Sequence, residues 1–410
     1  MPRTMLLHFA RMLAGRATRK VLGTVLGGFM LLVPVPSAAA DWFSDDFETG
    51  TLRPADSPPG RWDETPSSSP NTVASTAASA HRGLYGLQLT DRSSSAGFHA
   101  SADVGGTPLA STFFFRTWLR LRSVSTSGDV VLVQALPALV ELRIARQDSV
   151  WELAVRNGSG RQYVSRRTPT TAPVQTDRWY LIEFGARGLE TLAGQAWLWV
   201  DGVEVASLSG MDWQDTAYQL EQLRVGEPWS DTGAFIGSID VDDVRVSASP
   251  MASRLELRLP EEAKSNCIPV EVSLRASAEN ALAPAPYEVA VALSVPEGSG
   301  SFHADTGCKD AVESVRLPAG SSERRVYFRS SGSEGLATLR ASHPDFLSTT
   351  LTVDGPGSPG EPPDNDETAG PWTTNLGCSA ATGGFAMIPM LLGPWVLWRR
   401  RPPLRTMKRR

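Results

Sequence analysis

Four successive runs, "FFFRTWLRLRS" (113–123), "DVVLVQAL" (129–136), "LVELRIAR" (139–146) and "VWELAVRN" (150–157), follow one another at short intervals. Alternating apolar positions in β-branched and aromatic runs are the mark of half-buried strands, and a series at this spacing points to an all-β sandwich. No amphipathic helix of useful length interrupts it. Next, "RWYLIEFGAR" (178–187) leads into "QAWLWVDGVEVASL" (195–208), where Asp201-Gly202 between alternating apolar residues signals a tight hairpin. The alternation also assigns faces. Leu142 and Ile144 point one way and Glu141, Arg143 and Ala145 the other, so one side builds the core and the other meets solvent or a partner.

The segment opens with "DWFSDDFETG" from Asp41 and closes with "IGSIDVDDVRVS" (236–247), two strand-like, aspartate-rich stretches expected to pair and bring its ends together. Prolines and a change of pattern near Pro250 mark a boundary. From 251 to 354 the rhythm is that of "LELRLP", "PVEVSLRAS", "YEVAVALSVP", "ERRVYFRSS" and "LATLRAS", short strands that suit a smaller immunoglobulin-like sandwich. Cys267 and Cys308 fall inside it and are expected to form a disulfide closing a loop of about 40 residues, worth roughly 3 to 4 kcal/mol on a chain-entropy account.

The opening "DDFETG", the "WLWVDG" hairpin, the "RVG" at 224–226 and the closing "IDVDDVRVS" together resemble the concanavalin A-like lectin/glucanase superfamily, in particular its laminin-G-like domains, over residues 41–248. That resemblance implies a jelly-roll sandwich of two antiparallel sheets that binds glycans, cleaves them, or serves as an adhesive module. The order "LSVPEGSGSF", "LPAGSSERRVYF", "GLATLRAS" in turn resembles bacterial immunoglobulin-like surface modules, which implies a spacer or adhesive unit.

Chemistry tests the enzymatic branch. Retaining glucanases of this superfamily set two glutamates on one strand face about 5 Å apart. Here Glu190 and Glu221 each stand alone. Lyase relatives need a Gln-x-His strand, an arginine strand and a tyrosine-rich strand to remove a proton beside a uronate. Gln134 has no histidine beside it, "VELR" (140–143) only faintly matches the arginine strand, and Tyr163 and Tyr180 are the tyrosines a lyase would draw on. His81 and His99 sit among small or polar neighbours and read as surface residues. No catalytic residue is assigned.

For sugar recognition the useful groups are exposed aromatic rings. Trp213 in "GMDWQD" and Trp229 in "GEPWSD" stand in loop-like settings and are the glycan-stacking candidates; Trp118, Trp151, Trp179, Trp197 and Trp199 lie in strands and read as core. Structural calcium is common in sandwiches of this kind. Asp46 and Glu48 at the start and Asp242 and Asp243 at the end are its candidate ligands, since pairing the terminal strands would crowd their charges; the alternative is that these acids line the solvent face of an edge strand.

The ends of the chain bear on location. Arg3, Arg11, Arg16, Arg19 and Lys20 precede "VLGTVLGGFMLLVPVPSAAA", a secretory signal over residues 1–40 with small residues at Ala38 and Ala40. At the other end, a Pro/Gly/acid-rich stretch forms a stalk (355–374), followed by Cys378, an apolar run at 380–398 of about the length needed to span a bilayer as a helix, and an arginine cluster within the tail 375–410. Stalk, Gly-Cys, span and arginines resemble the C-terminal sorting tails of myxobacterial surface proteins, the MYXO-CTERM group. This implies processing near Cys378 by a membrane sorting protease, with the protein retained at the cell surface, anchored in the envelope membrane, or shed.

The chain has 39 Lys+Arg and 44 Asp+Glu. With five basic residues in the signal and seven after Trp398, the segment between carries 27 basic against 44 acidic residues, a net charge of −17. Such a surface repels phosphate backbones, and nucleic acid is not expected as a partner. The expected function is therefore that of an exported, surface-displayed, non-catalytic protein binding extracellular polysaccharide or a cell-surface glycan. The alternatives are a polysaccharide lyase or glycoside hydrolase with an unrecognised active site, and a display protein without a ligand.

Overall fold

The computed structural model describes residues 41–52, 62, 70–92, 100–103, 111–123, 130–136, 140–145, 150–157, 164–189, 191–213, 222–226, 236–260, 267–331 and 336–354. The expected signal, stalk and sorting tail, with Cys378 and the apolar run, lie outside the described residues, as do His99, Tyr163 and Trp229. Among the described residues no helix is long and apolar enough to cross a membrane.

The first sandwich is built from β1 (Phe43–Asp45), β2 (Thr72–Thr76), β3 (Gly86–Asp91), β4 (Ala100–Asp103), β5 (Thr112–Leu121), β6 (Val130–Leu136), β7 (Val140–Ala145), β8 (Val150–Asn157), β9 (Val164–Pro173), β10 (Trp179–Arg187), β11 (Gly194–Val200), β12 (Val203–Met211), β13 (Gln222–Val225) and β14 (Gly237–Ser247). One sheet runs β12-β11-β10-β5-β14-β3-β2 with β1 also on β14; the other runs β4-β13-β6-β7-β8-β9. Every ladder in both sheets is antiparallel. The first and last strands do pair, with Phe43 opposite Val246. The Asp201-Gly202 hairpin joins β11 to β12, and both turn residues have positive φ (50° and 74°), as a two-residue turn matched to the strand twist requires.

Strand alternation sorts the side chains as the sequence implies. Phe113, Phe115, Leu119 and Leu121 of β5 enter the core between the sheets together with Leu142 and Ile144 of β7, while Phe114 and Arg116 point outward. Aromatic pairs fill the centre: Phe115 stacks on Phe184 with ring centroids 4.7 Å apart, and Trp151 meets Tyr180 edge-on at 5.2 Å.

The second sandwich comprises β15 (Arg254–Arg258), β16 (Ile268–Arg275), β17 (Val289–Glu297), β18 (Gly300–His303), β19 (Ala311–Val312), β20 (Ser314–Leu317), β21 (Glu323–Ser330), β22 (Leu336–His343) and β23 (Phe346–Asp354). Its order is β19-β18-β21-β16-β15-β23-β22-β17-β20, and β15 meets β23 in parallel at Arg254 and Leu347. It has a separate apolar core, centred on Val270, Val272, Val291, Leu317 and Phe328. The expected Cys267–Cys308 disulfide is formed, with Cα atoms 5.8 Å apart.

The two sandwiches are docked. The second covers the outer face of the eight-stranded sheet, where Phe114, Trp197 and Trp199 pack against Met251 and Ala278. Around this apolar seam lies a belt of charges. Arg116, 1% exposed, pairs with Asp243 at 3.0 Å and donates to the Asp345 carbonyl; Arg82 pairs with Asp345, and Arg187 with Glu279. The Arg116 guanidinium sits 5.5 Å from the centre of the Phe346 ring, and that of Arg245 lies 5.6 Å from Tyr287. Trp118 and Trp199, expected as core residues, are buried on this outer face rather than between the sheets.

Candidate functional site

The outer face of the six-stranded sheet carries the other concentration of buried polar groups. Strands β13, β6, β7 and β8 lie side by side, and their register sets Arg224 opposite Gln134, Gln134 opposite Glu141, and Arg143 opposite Glu152. The intervening residues Val133, Ala135, Val140, Leu142, Ile144, Leu153 and Leu223 fill the core from the same strands, so the polar set occupies the reverse face because the strand period is two.

Gln134, Glu141 and Glu152 are 1%, 6% and 4% exposed. Glu141 is held on both oxygens: the Gln134 amide donates to Oε1, and Arg143 Nε donates to Oε2 at 2.6 Å, with a second Arg143 nitrogen on the same oxygen. Two groups beside this network remain unsatisfied. Arg224 Nε and Gln134 Oε1 are buried without a hydrogen-bond partner. A buried donor and a buried acceptor left open in adjacent strands are costly for a folded chain, and a ligand with hydroxyl groups, which both donate and accept, would satisfy both. The arrangement offers fixed amide, carboxylate and guanidinium groups on a stiff sheet, a surface suited to oriented polar recognition.

The sequence candidates fall elsewhere. Trp213 is not an exposed platform: it is 0% exposed in the core, seated where Gly194 lacks a side chain, and a Cβ at Gly194 would come within 2.2 Å of its ring. Its ring has no face left for a sugar. Tyr180 is likewise in the core at 2% exposure, and its hydroxyl accepts from the Gln175 amide at 2.9 Å.

The four candidate calcium ligands do not converge. Asp46 accepts from the Glu48 amide at 3.2 Å, and Glu48 from the Leu84 and Tyr85 amides at 2.9 and 3.2 Å. Asp242 accepts from the His81 and Arg82 amides at 2.8 and 3.2 Å. Asp243 is clamped by Arg116 and Arg245 at 3.0 and 3.1 Å, partners that leave no need for a cation. Burial acts to raise the Asp243 carboxyl, but the Arg116 and Arg245 guanidiniums outweigh it and hold it below the ordinary range. Asp242 forms no such ion pair among the described residues, and burial pushes it up from 3.8 to about 7. Among the described residues no group of three or more metal-ligating side chains comes together.

His81, expected at the surface, is instead stacked on Trp118 at 4.0 Å and edge-on to Trp179 at 5.1 Å, and burial lowers it to about 4. What the sequence did not single out is Arg224 and Glu152. The signal for them was present in the alternation of "RVG" and "VWELAV", but the place of Arg224 opposite Gln134 depends on pairing between strands far apart in the chain, and that of Glu152 opposite Arg143 on the register between the successive strands β7 and β8.

No family model matches the sequence, and no curated protein matches it. Among solved structures, an endo-β-1,4-glucuronan lyase from the fungus Trichoderma reesei is similar at 18% identity, with 51% of this chain and 96% of that chain covered and a TM-score of 0.41. The cellulose-induced protein Cip1 is similar at 18% identity over 50% and 97% of the two chains, with a TM-score of 0.34. Domain 4 of AbnA, an extracellular arabinanase from Geobacillus stearothermophilus solved with arabinotriose, is similar at 17% identity over 51% and 93%, with a TM-score of 0.35. At these scores the likeness assigns no family.

Proposed function

We propose that this is an exported, surface-displayed protein that binds extracellular polysaccharide or a cell-surface glycan on the outer face of its six-stranded sheet, without cleaving it. The observation that carries the reading is the fixed Gln134–Glu141–Arg143 network beside an unsatisfied Arg224 Nε. Amide, carboxylate and guanidinium groups held in place can hydrogen-bond adjacent sugar hydroxyls, and the unused Arg224 donor supplies a place for one more oxygen. On this reading the first sandwich is a concanavalin A-like module and the second an immunoglobulin-like one. The signal, the stalk and the tail around Cys378 would deliver and hold them outside the cell, through a sorting protease. Structural calcium, if bound, would have to use ligands beyond the carboxylates already engaged.

One observation favours an enzyme as the second reading. The structure brings Gln134 directly opposite Glu141, with Arg143 on the same face, so the amide and arginine strands that a lyase uses are neighbours after all. Tyr180 cannot complete that set, because it faces the core.

The test is a polysaccharide and glycan-array pull-down with the exported chain, in calcium and in chelator, followed by sizing of the recovered polymer. Retention of polymer at full length, lost in Arg224→Ala, is the expected result. Shortened polymer would establish the enzyme, and no retention in either condition would leave a display protein without a ligand.

A further inference from the structure

The docked face of the first sandwich holds a carboxylate that the polysaccharide reading does not use. Glu183 sits mid-strand in β10, opposite Arg116 of β5 on one side and Trp199 of β11 on the other, and is 6% exposed. Its partner across the interface is a hydroxyl: Ser277 of the second sandwich donates to Glu183 and is bonded in turn to Ser253 at 2.9 Å. Arg116 is committed to Asp243 and to the Asp345 carbonyl. A hydroxyl can donate to a carboxylate or accept from a carboxylic acid, so this seat admits the protonated side chain. The ionised form would be buried without an ion pair of its own among the described residues, with Arg116 and Arg254 acting on it only through space.

We propose that Glu183 is a proton-operated latch between the two sandwiches: with its carboxyl protonated the second sandwich stays docked on the eight-stranded sheet, and release of that proton to solvent loosens the contact. Burial pushes the carboxyl up from 4.5 to about 7, against the lowering effects of Ser277, Arg116, Ser253 and Arg254. A docked chain therefore keeps a proton between these values that an opened chain, with Glu183 in water, gives up. Docking is favoured in mild acid and weakens as pH rises through the window, by about tenfold per pH unit for one proton.

The other charged groups at the seam modify this. Arg187 with Glu279, and Asp243 with Arg116 and Arg245, form ion pairs at this seam. Asp345, which faces Arg82 and which burial raises to about 6, acts in the same sense as Glu183. His81 and His343 act in the opposite sense, because burial lowers both and opening would let them take up protons below 6.5. Comparison with a variant therefore isolates Glu183 better than the wild-type curve alone.

The experiment follows amide hydrogen exchange of the whole chain at the interface strands from about pH 5 to about pH 8, corrected for the intrinsic chemical rate, in wild type and in Glu183→Gln. Wild-type protection is expected to fall with rising pH, and the variant, an uncharged mimic of the protonated acid, is expected to stay protected with a dependence shallower by about one proton. A variant curve that superimposes on wild type overturns the proposal. Should Glu183→Gln not fold, infrared difference spectra of the wild type with isotope-labelled glutamate decide. A shielded carboxylic-acid band that vanishes on raising the pH supports the latch, and absence of that band overturns it.

Discussion

The two outer faces of the first sandwich are built alike and put to different ends. Both carry polar or charged residues and bury them almost completely: Arg116, Glu183 and Asp243 on the eight-stranded sheet, Gln134, Glu141 and Glu152 on the six-stranded one. On the first, the second sandwich supplies the matching groups, Ser277 for Glu183 and the Asp345 carbonyl for Arg116. On the second, Gln134, Glu141 and Arg143 bond to one another, and Arg224 Nε and Gln134 Oε1 stay open. A buried polar face needs a complementary surface; the second sandwich supplies part of it on the docked face, where Arg116 Nε and Trp118 Nε1 still stay without a partner.

The comparison breaks most readily at Asp243. Replacing it with Ala leaves Arg116 and Arg245 buried without their carboxylate, with an expected loss of about 3 to 5 kcal/mol in chemical denaturation. Polysaccharide retention by the protein that remains folded should be unchanged; a loss of retention at matched folded fraction would mean that the two faces are not independent. Trp213→Ala should cost a similar amount, about 3 to 5 kcal/mol, as a cavity in the core. If that variant were fully stable yet failed to bind glycan, the placement of Trp213 in the core would be wrong.

On the open face, Arg143→Ala removes the guanidinium that orients Glu141. Polysaccharide affinity is expected to fall by about tenfold to a hundredfold, while stability drops by about 1 to 3 kcal/mol. Binding isotherms alongside thermal melts separate the two effects.

A smaller effect concerns Asp45, which accepts from the Phe47 amide at 2.8 Å and from Trp62 Nε1 at 2.7 Å. Burial, opposed by these bonds, raises its carboxyl from 3.8 to about 6. The folded chain then holds a proton that the unfolded chain releases, so this contribution is complete below about 3.8 and is lost as pH rises through about 6. Asp45→Asn should flatten that part of the stability profile at a cost of about 1 kcal/mol from the acceptor lost to Trp62. The smallest change is expected at Glu288, whose pair with Arg316 at 2.7 Å joins side chains 57% and 74% exposed. Glu288→Ala should alter stability by less than about 0.5 kcal/mol, and a larger effect would show that this exposed rim carries more than a solvated ion pair.

The amino-acid sequence by itself determined what depends on neighbours in the chain. Alternation fixed the strands and the inward or outward sense of Leu142 against Arg143, because the side-chain period of a strand is local. The Asp201-Gly202 pair fixed its hairpin, because few residues accept positive φ at both positions. The disulfide was legible because Cys267 and Cys308 share one small domain. Tertiary structure alone decided the rest. It set β13 beside β6, so that Arg224 meets Gln134 across a long chain separation, and it turned Trp213 from a loop residue into a core residue by leaving room over Gly194. It also laid the second sandwich over Arg116 and Glu183. Register, cavity shape and domain docking follow from how whole surfaces fit together, and no local pattern of residues encodes that fit.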